Sequence, residues 1–366
     1  MTEQEAIKRI LSQDYSSGSL AYHSLQPDVT RIELADGSIV ARLGSALIGD
    51  PVSPNDSLTE FAETLAENLP EVSVFHIEQN TAQALRQRGY RIHSLGIESH
   101  IPLPFSLQGR EKADLRRALN RARKAGVDVM ELSGRRYEQF AAQIATLNRQ
   151  WLSQRRHFKR EFRFLARPYV ERYQPGERRF IALQNGKVVG IAVYDPVCQA
   201  GKRIGYFEAL MRCDATSAPG VRDMLTVTAM RAFAAEDAGI RWVSLGLSPF
   251  APPHSSTQAP ARYSLTRWTV SMFFRWGNSI FNCRGLAFHK ERYRGDAVPI
   301  FFATKSRFPL GVLYNACRQS NIDPLQPAKT YLQILVKFAR LTMKQIRSAP
   351  RFLRRIRVEL VHSNHK

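Results

Sequence analysis

The chain has 366 residues, of which 44% are hydrophobic, and this is enough for two domains with packed cores. Its formal net charge is +21, yet residues 1–100 hold 7 Lys and Arg against 14 Asp and Glu, so the positive charge is concentrated in the rest of the chain. The four cysteines are scattered without a C-x-x-C pair, which argues against a disulfide framework and a zinc site. The segregated charge predicts a polyanionic partner, either nucleic acid or an anionic membrane.

The first residues contain no apolar signal core, and no apolar run approaches the roughly 20 residues that span a bilayer. We therefore expect a protein of the reducing cytoplasm that is not integral to a membrane. No metal and no other cofactor is expected.

The first hundred residues combine short strands with two amphipathic helices. Asp36-Gly37 lies between two strand patterns and predicts a tight hairpin turn. The predicted elements are helices at 2–13, 58–69 and 80–88, and strands at 20–25, 30–34, 39–43, 46–50, 72–77 and 90–101.

A second cycle follows with the same order of hairpin, strand, helix, strand, helix, strand. Asn185-Gly186 predicts its hairpin turn. Its predicted elements are strands at 179–184, 188–193, 203–211, 240–245, 282–288 and 300–304, and helices at 220–237 and 264–277. The repeated order predicts an α/β fold of two similar lobes, each with a mostly antiparallel sheet. The predicted regions are an amino-terminal lobe at 1–109, basic inter-lobe helices at 110–165, a carboxy-terminal lobe with the active site at 166–305, and a basic helical tail at 306–366.

The predicted inter-lobe helix at 110–125 carries a stripe of cations and amides opposite its apolar face. Few acids compensate this charge, so we expect phosphate contacts rather than a solvated connecting helix. The residues expected to make these contacts are Arg116, Asn120, Arg121 and Lys124. The stretch 149–163 interleaves Arg and Lys with aromatic residues, which suits single-stranded RNA ends and lipid headgroups equally.

The tail from residue 305 holds 13 Lys and Arg against two acids. Its apolar residues at 331–346 fall on one helical face, which is typical of a helix in an anionic membrane interface. The alternative is an accessory helix that packs on the second lobe.

Polar residues gather at the predicted strand ends of the second lobe, where a sheet opens. Lys290 and Arg292 could stabilise an oxyanion or hold a phosphate, and Asp223 could orient an amine or simply favour a helix N-terminus. The expected catalytic residues are Asp223, Lys290, Glu291 and Arg292, and the expected substrate-binding residues are Arg212, Gly220, Ser248 and Tyr293. P-loop, dinucleotide, G-x-S-x-G and H-E-x-x-H signatures are absent.

Separated stretches of the chain resemble the soluble catalytic domain of bacterial phosphatidylglycerol lysyltransferases, also known as aminoacyl-phosphatidylglycerol synthases or multiple peptide resistance factors. In chain order they are 49–51, 115–121 with Gly126, 210–212 followed by 218–223, 245–249 and 282–293. The resemblance implies tandem GNAT-like lobes around a shared tunnel. It also implies transfer of an aminoacyl group from aminoacyl-tRNA to a hydroxyl of phosphatidylglycerol or a related anionic lipid, by an enzyme peripheral to the cytoplasmic membrane face. On this resemblance, the residues expected to bind tRNA are Arg116, Asn120, Arg121 and Lys124.

Two other functions remain open from the residues. One is an acyl-CoA-dependent N-acyltransferase on the same fold, against which the missing CoA-binding loop argues. The other is a non-enzymatic protein that binds RNA or membrane through its basic surfaces. The amino acid that is transferred and the oligomeric state are not predicted.

Overall fold

A computed structural model describes residues 1–54, 57–155, 160–236, 239–251 and 283–323. The described helices are α1 Glu3–Ile10, α2 Leu58–Asn68, α3 Gln79–Gln87, α4 Ala113–Lys124, α5 Gly134–Gln154, α6 Val221–Glu236, α7 Cys283–Glu291 and α8 Pro309–Gln319. The described strands are β1 Tyr15–Ser16, β2 Thr30–Glu33, β3 Ile39–Leu43, β4 Ala46–Pro54, β5 Ser73–Ile77, β6 Arg91–Pro102, β7 Val127–Leu132, β8 Arg178–Gln184, β9 Lys187–Gln199, β10 Lys202–Cys213, β11 Trp242–Pro249 and β12 Asp296–Thr304. The expected helices at 264–277 and 331–346 lie outside the described residues.

The strands form one sheet in the order β2-β3-β4-β5-β12-β6-β11-β10-β9-β8-β7, with β1 paired to β4. Most neighbours are antiparallel, as expected, while β4 with β5 and β10 with β11 are parallel. Both expected hairpins are confirmed: the turn between β2 and β3 contains Gly37, and Asn185 and Gly186 join β8 to β9 with positive φ.

Among the described elements the duplicated order is found at the level of topology, because β4-α2-β5-α3-β6 and β10-α6-β11-α7-β12 follow the same course. The last strand of each half pairs across to the other half. β6 lies between β12 and β11, and β12 lies between β5 and β6. The two halves therefore share a continuous sheet, and residues 1–323 form one compact unit. The expected lobe boundaries stay a prediction.

Two expected strands are wrong. The stretch 20–25 is a 3-10 helix, Ala21–Leu25, and all five of its residues are buried, so the alternation of a half-buried strand does not apply. The stretch 282–288 begins α7, a helix that buries Lys290 near its end. The aromatic residues around position 281 favoured a strand, but α7 turns its polar residues toward the end of β11 instead. The strand β7 and most of the helix α5 were not predicted.

The core is built from both faces of the sheet. α4 and α6 pack on one face through a cluster that includes Leu119, Leu225 and Phe233. α5 packs on the opposite face against β9 and β10, with Ile144 and Leu147 fully or almost fully buried. This arrangement holds the ends of β10 and β11 in place, and the candidate site lies there.

Candidate active site

The candidate site lies where two parallel strands separate. β10 and β11 pair only at residues 205–207 and 242–244. Beyond these positions β10 remains paired with β9 and β11 remains paired with β6, so a gap opens between β10 and β11. A cavity of about 440 Å³ lies beside the end of β11. Its lining residues are Ile97, Ser99, Ser248, Ala251, Ala287, Lys290, Glu291, Arg294, Gly295 and Ala297.

Lys290 of α7 lines this cavity and is only 5% exposed. Its Nζ donates to the carbonyl oxygens of Gly246 and Leu247, both at 2.8 Å. Burial lowers the pKa of Lys290 to about 8, although the charges of Glu208 and Glu98 oppose this shift. An ammonium has three N–H groups, and within the described residues these two bonds use two of them.

β11 is irregular at the point that receives Lys290. Its register against β6 shifts between Ser244 and Leu247, and Gly246 has a φ of +74°, which a residue with a side chain rarely adopts. Beyond the shift, Ser248 points toward the cavity and is 1% exposed. Its Oγ has no hydrogen-bond partner in the part of the chain that the structure describes. Ser248 therefore offers an unused hydroxyl to a ligand.

A second polar group surrounds Asp223 in the first turn of α6. Arg292 Nη2 and Tyr293 Oη each donate to Asp223 Oδ1 at 2.8 Å. Arg292 Nη2 also donates to His289 Nδ1 at 2.6 Å. Burial and the neighbouring cations lower the pKa of His289 to about 3, so the imidazole is neutral and can accept this bond. Both of these bonds end on Oδ1 of Asp223, so neither Arg292 nor Tyr293 engages Oδ2.

Gly220 sets the start of α6 and hence the position of Asp223. Its φ is +98°, and a Cβ at this position would lie 2.1 Å from the carbonyl oxygen of Ala118 on α4. A side chain is therefore excluded by both backbone strain and contact. The expected role of Gly220 in substrate binding stays a prediction, and its structural role is the close approach of α6 to α4.

The structure brings most of the expected site residues together but leaves two groups apart. Glu291 lines the cavity and is exposed, and its carboxylate faces Arg294 at 3.5 Å. Arg212 lies elsewhere, on the face of β10 that α5 covers, where it pairs with Glu161. The residues expected to bind tRNA lie on α4, and among them Arg116 is half-buried.

Arg116 has internal partners. Its Nη1 donates to the carbonyl oxygens of Leu107 and Gly109, both at 2.6 Å, so it holds the loop before α4. Asn120, Arg121 and Lys124 are exposed on the outer side of the helix.

Sequence reasoning missed Glu208 and Glu98. Glu208 lies on β10 within bonding distance of Tyr194 Oη at 3.3 Å and Thr226 Oγ1 at 3.4 Å, and burial raises its pKa. A single acid within an otherwise apolar strand was the only signal for it. Glu98 is fully buried on β6 and accepts hydrogen bonds from Ser19 and from two histidines.

In the amino-terminal half, protein side chains fill the corresponding gap between β4 and β5. Asp50 accepts a bond from the backbone N–H of Glu78 at 3.1 Å, at the start of α3. His76 and His100 each donate to Glu98 at 2.8 Å. Burial would raise the pKa of Glu98, but the bonds and charges of these histidines hold it well below its usual range. The two halves thus use the same topology differently.

Within the described ranges, His, Cys, Asp and Glu form no group of three that could hold a metal ion. None of the helices described there combines the length and the apolar character needed to cross a bilayer.

Solved structures establish the fold. The C-terminal domain of a protein assigned as a lysylphosphatidylglycerol synthetase from Agrobacterium fabrum matches with a TM-score of 0.68 at 19% identity, over 85% of this chain and 95% of that one. The structure named L-PGS from Bacillus licheniformis matches with a TM-score of 0.68 at 19% identity, over 87% of this chain and 97% of that one. A conserved protein of unknown function from Bacteroides thetaiotaomicron matches with a TM-score of 0.54 at 12% identity, over 83% and 97%. The expected α/β fold is confirmed.

Comparison with curated proteins gives no match. The family model described as phosphatidylglycerol lysyltransferase, C-terminal, matches residues 8–304, which include every described strand and the whole candidate site. The chain therefore belongs to the phosphatidylglycerol lysyltransferase family of transferases, in the region that the family calls C-terminal.

Proposed function

We propose that this protein transfers an aminoacyl group from aminoacyl-tRNA to a hydroxyl of phosphatidylglycerol or a related anionic lipid, at the cytoplasmic face of the membrane. The observation that carries the proposal is the buried Lys290 beside a cavity at the gap between β10 and β11. Membership of the family supports aminoacyl transfer to lipid, and the exposed cations of α4 support an RNA donor.

The reaction is a transesterification. The lipid hydroxyl oxygen attacks the carbonyl carbon of the aminoacyl ester, the bond from this carbon to the ribose oxygen breaks, and the hydroxyl proton passes to the ribose oxygen. Because the donor ester is already activated, the reaction consumes no nucleotide. The enzyme has to align the two substrates and stabilise the oxyanion that develops on the carbonyl oxygen.

Lys290 is suited to the oxyanion. Two of its N–H groups are fixed by the carbonyls of Gly246 and Leu247, so the third has a defined direction. A charged donor in a buried place acts strongly because little water screens it. With a pKa of about 8, the ammonium stays protonated near neutral pH but can also exchange a proton with the reacting oxygens.

Asp223 is suited to the ammonium of the aminoacyl group. Arg292 and Tyr293 fix its carboxylate through Oδ1, and Oδ2 remains for the substrate. On the bond between them we assign Arg292 to positioning Asp223, and not to the lipid phosphate. Ser248 and Glu291 line the cavity and would contact substrate there.

The acceptor end of tRNA would lie along α4, where Asn120, Arg121 and Lys124 are exposed. Arg116 would act through the loop that it holds. The expected membrane contact through the basic tail falls after residue 323 and lies outside the described residues.

Mass spectrometry of lipids tests the proposal. Cells that express the chain are compared with cells that express Lys290→Ala, and with Lys305→Ala as the matched control because Lys305 is exposed at the far end of β12. We expect an aminoacylated lipid with the unchanged chain and with Lys305→Ala, and none with Lys290→Ala. Unchanged lipids in all three, with folded protein that binds tRNA, would move the acceptor from lipid to a soluble molecule.

A further inference from the structure

A second polar site lies around Arg212, on the sheet face that α5 covers. Arg212 is 3% exposed. Its Nη1 and Nη2 donate to the two carboxylate oxygens of Glu161 at 2.8 and 2.6 Å, and Nη1 also donates to Asn148 Oδ1 at 2.9 Å. This two-bond geometry is the one in which arginine binds carboxylates and phosphates.

The site has more donors than acceptors. Arg212 Nε and Asn148 Nδ2 are both buried, and neither has a hydrogen-bond partner among the residues that the structure describes. Buried donors are almost always satisfied in folded proteins. A phosphodiester has two anionic oxygens that can take the place of the carboxylate oxygens, and its two ester oxygens are weaker acceptors for the remaining donors.

Two guanidinium groups meet at one aromatic ring in this site. The guanidinium of Arg155 lies 4.6 Å from the ring centre of Trp151, and that of Arg212 lies 4.5 Å from it. Arg155 also stacks on Phe162 at 3.8 Å. Burial and the charge of Arg212 lower the pKa of Arg155 to about 10, so the guanidinium of Arg155 remains protonated near neutral pH. Among the described residues, Glu161 is the carboxylate that bonds Arg212 and acts on Arg155, so one acid lies beside two guanidinium groups that share one indole ring.

Another buried arginine shows what a purely structural pair looks like. Arg167 binds Glu177 and Asp195, whose side chains are both fully buried, and the group joins the loop before β8 to the sheet. Glu161 differs, because its side chain is 34% exposed. Its backbone carbonyl accepts a bond from Asn321 Nδ2 at 2.8 Å, so the carboxylate can rotate into solvent while the backbone stays in place.

We propose that Arg212, Asn148 and Arg155 form a phosphodiester-binding subsite that the carboxylate of Glu161 occupies in the absence of ligand. The proposal rests on the proposed function and names the headgroup phosphodiester of the acceptor lipid as the ligand. A single two-pronged guanidinium recessed among aromatic side chains suits one phosphodiester, while a chain of RNA phosphates suits the exposed cations of α4. The subsite would bind the lipid phosphate separately from Arg292, which is hydrogen-bonded to Asp223.

Calorimetric titration with glycerophosphoglycerol, the free headgroup, tests the subsite without aminoacyl-tRNA and without transfer. We expect Glu161→Gln to bind the headgroup about tenfold more tightly than the unchanged protein, because the competing anion is removed. Arg212→Lys should bind it at least about tenfold more weakly, since a lysine cannot reproduce the two parallel bonds. The matched control is Glu131→Gln, which breaks a comparable half-exposed pair with Arg178 and should change nothing.

Equal or weaker headgroup binding by Glu161→Gln would overturn the proposal and make Glu161 a structural partner. The comparison of Glu161→Gln with the unchanged protein tests the subsite even if Arg212→Lys fails to fold. Inorganic phosphate and a single-stranded RNA ending in CCA serve as further probes. Tightening for either of them without tightening for glycerophosphoglycerol would overturn the lipid assignment. Because the titration measures binding and not transfer, it tests the subsite even if the protein does not catalyse the proposed reaction.

Discussion

Replacing Lys290 by methionine should change stability in opposite directions at neutral and at high pH. The change removes an ammonium that is 5% exposed and whose pKa falls from 10.5 to about 8 on folding. A shift of this size makes the charged lysine cost about 3 kcal/mol in the folded state near neutral pH. Methionine also leaves the carbonyls of Gly246 and Leu247 without their donor, which costs about 1 kcal/mol for each bond.

The two effects sum to a gain of about 1 kcal/mol in the unfolding free energy of Lys290→Met near neutral pH. The sign then changes with pH. The folded pKa lies below the unfolded one, so between about pH 8 and pH 10.5 the unfolded state binds more protons, and the stability of the unchanged protein rises with pH in this window. The methionine variant lacks this rise.

Urea denaturation of both proteins at about pH 7 and about pH 9.5 measures the effect, and the difference between them should move by about 2 kcal/mol in favour of the unchanged protein. Lys305→Met, at an exposed position, is the control and should give a flat difference. Other groups titrate over this range in both proteins and cancel in the comparison. A difference that does not change with pH would refute the inference that Lys290 is a buried, charged group in the folded protein.

Three further results are expected. Gly220→Ala should lower the unfolding free energy by more than about 2 kcal/mol in urea titration, because its Cβ meets the carbonyl of Ala118; an unchanged midpoint would contradict the close approach of α6 to α4. Asp223→Asn should lower kcat/KM for aminoacyl-tRNA by about 10- to 100-fold through loss of a charged hydrogen bond, and full activity would remove its assignment. Combined Arg121→Glu and Lys124→Glu should raise KM for aminoacyl-tRNA by at least about tenfold and weaken its salt dependence; a change in kcat alone would place RNA elsewhere.

The sequence predicted the secondary structure correctly where the local hydrophobic pattern matches the burial of the residues in the fold. The Asp36-Gly37 and Asn185-Gly186 turns join strands of alternating pattern, and the helix of Leu119 has one apolar face. The exchange of β6 and β12 between the halves has no local signal, because it depends on which strand edges meet in space. The stretch at 282–288 was misread because apolar and aromatic residues suit a short strand as well as a buried helix turn.

The sequence indicated which residues could form the candidate site but not which partners they bind. Asp223, Lys290 and Ser248 were identified, and the structure brings them to the same region of the sheet. That Arg212 pairs with Glu161, 51 residues earlier, could not be seen, since long-range pairing leaves no mark on spacing. Nor could the sequence show that Arg116 binds carbonyls of its own loop, because a cation looks the same whether it faces solvent or backbone.

Reconstituted transfer tests the central claim most directly. The purified protein is mixed with phosphatidylglycerol vesicles and with tRNA charged with each radiolabelled amino acid in turn, and the label in the lipid phase is counted. The account predicts label in lipid for at least one amino acid, and its loss with Lys290→Met while Lys305→Met retains it. No lipid label with any charged tRNA, from folded protein that binds both substrates, would contradict the account.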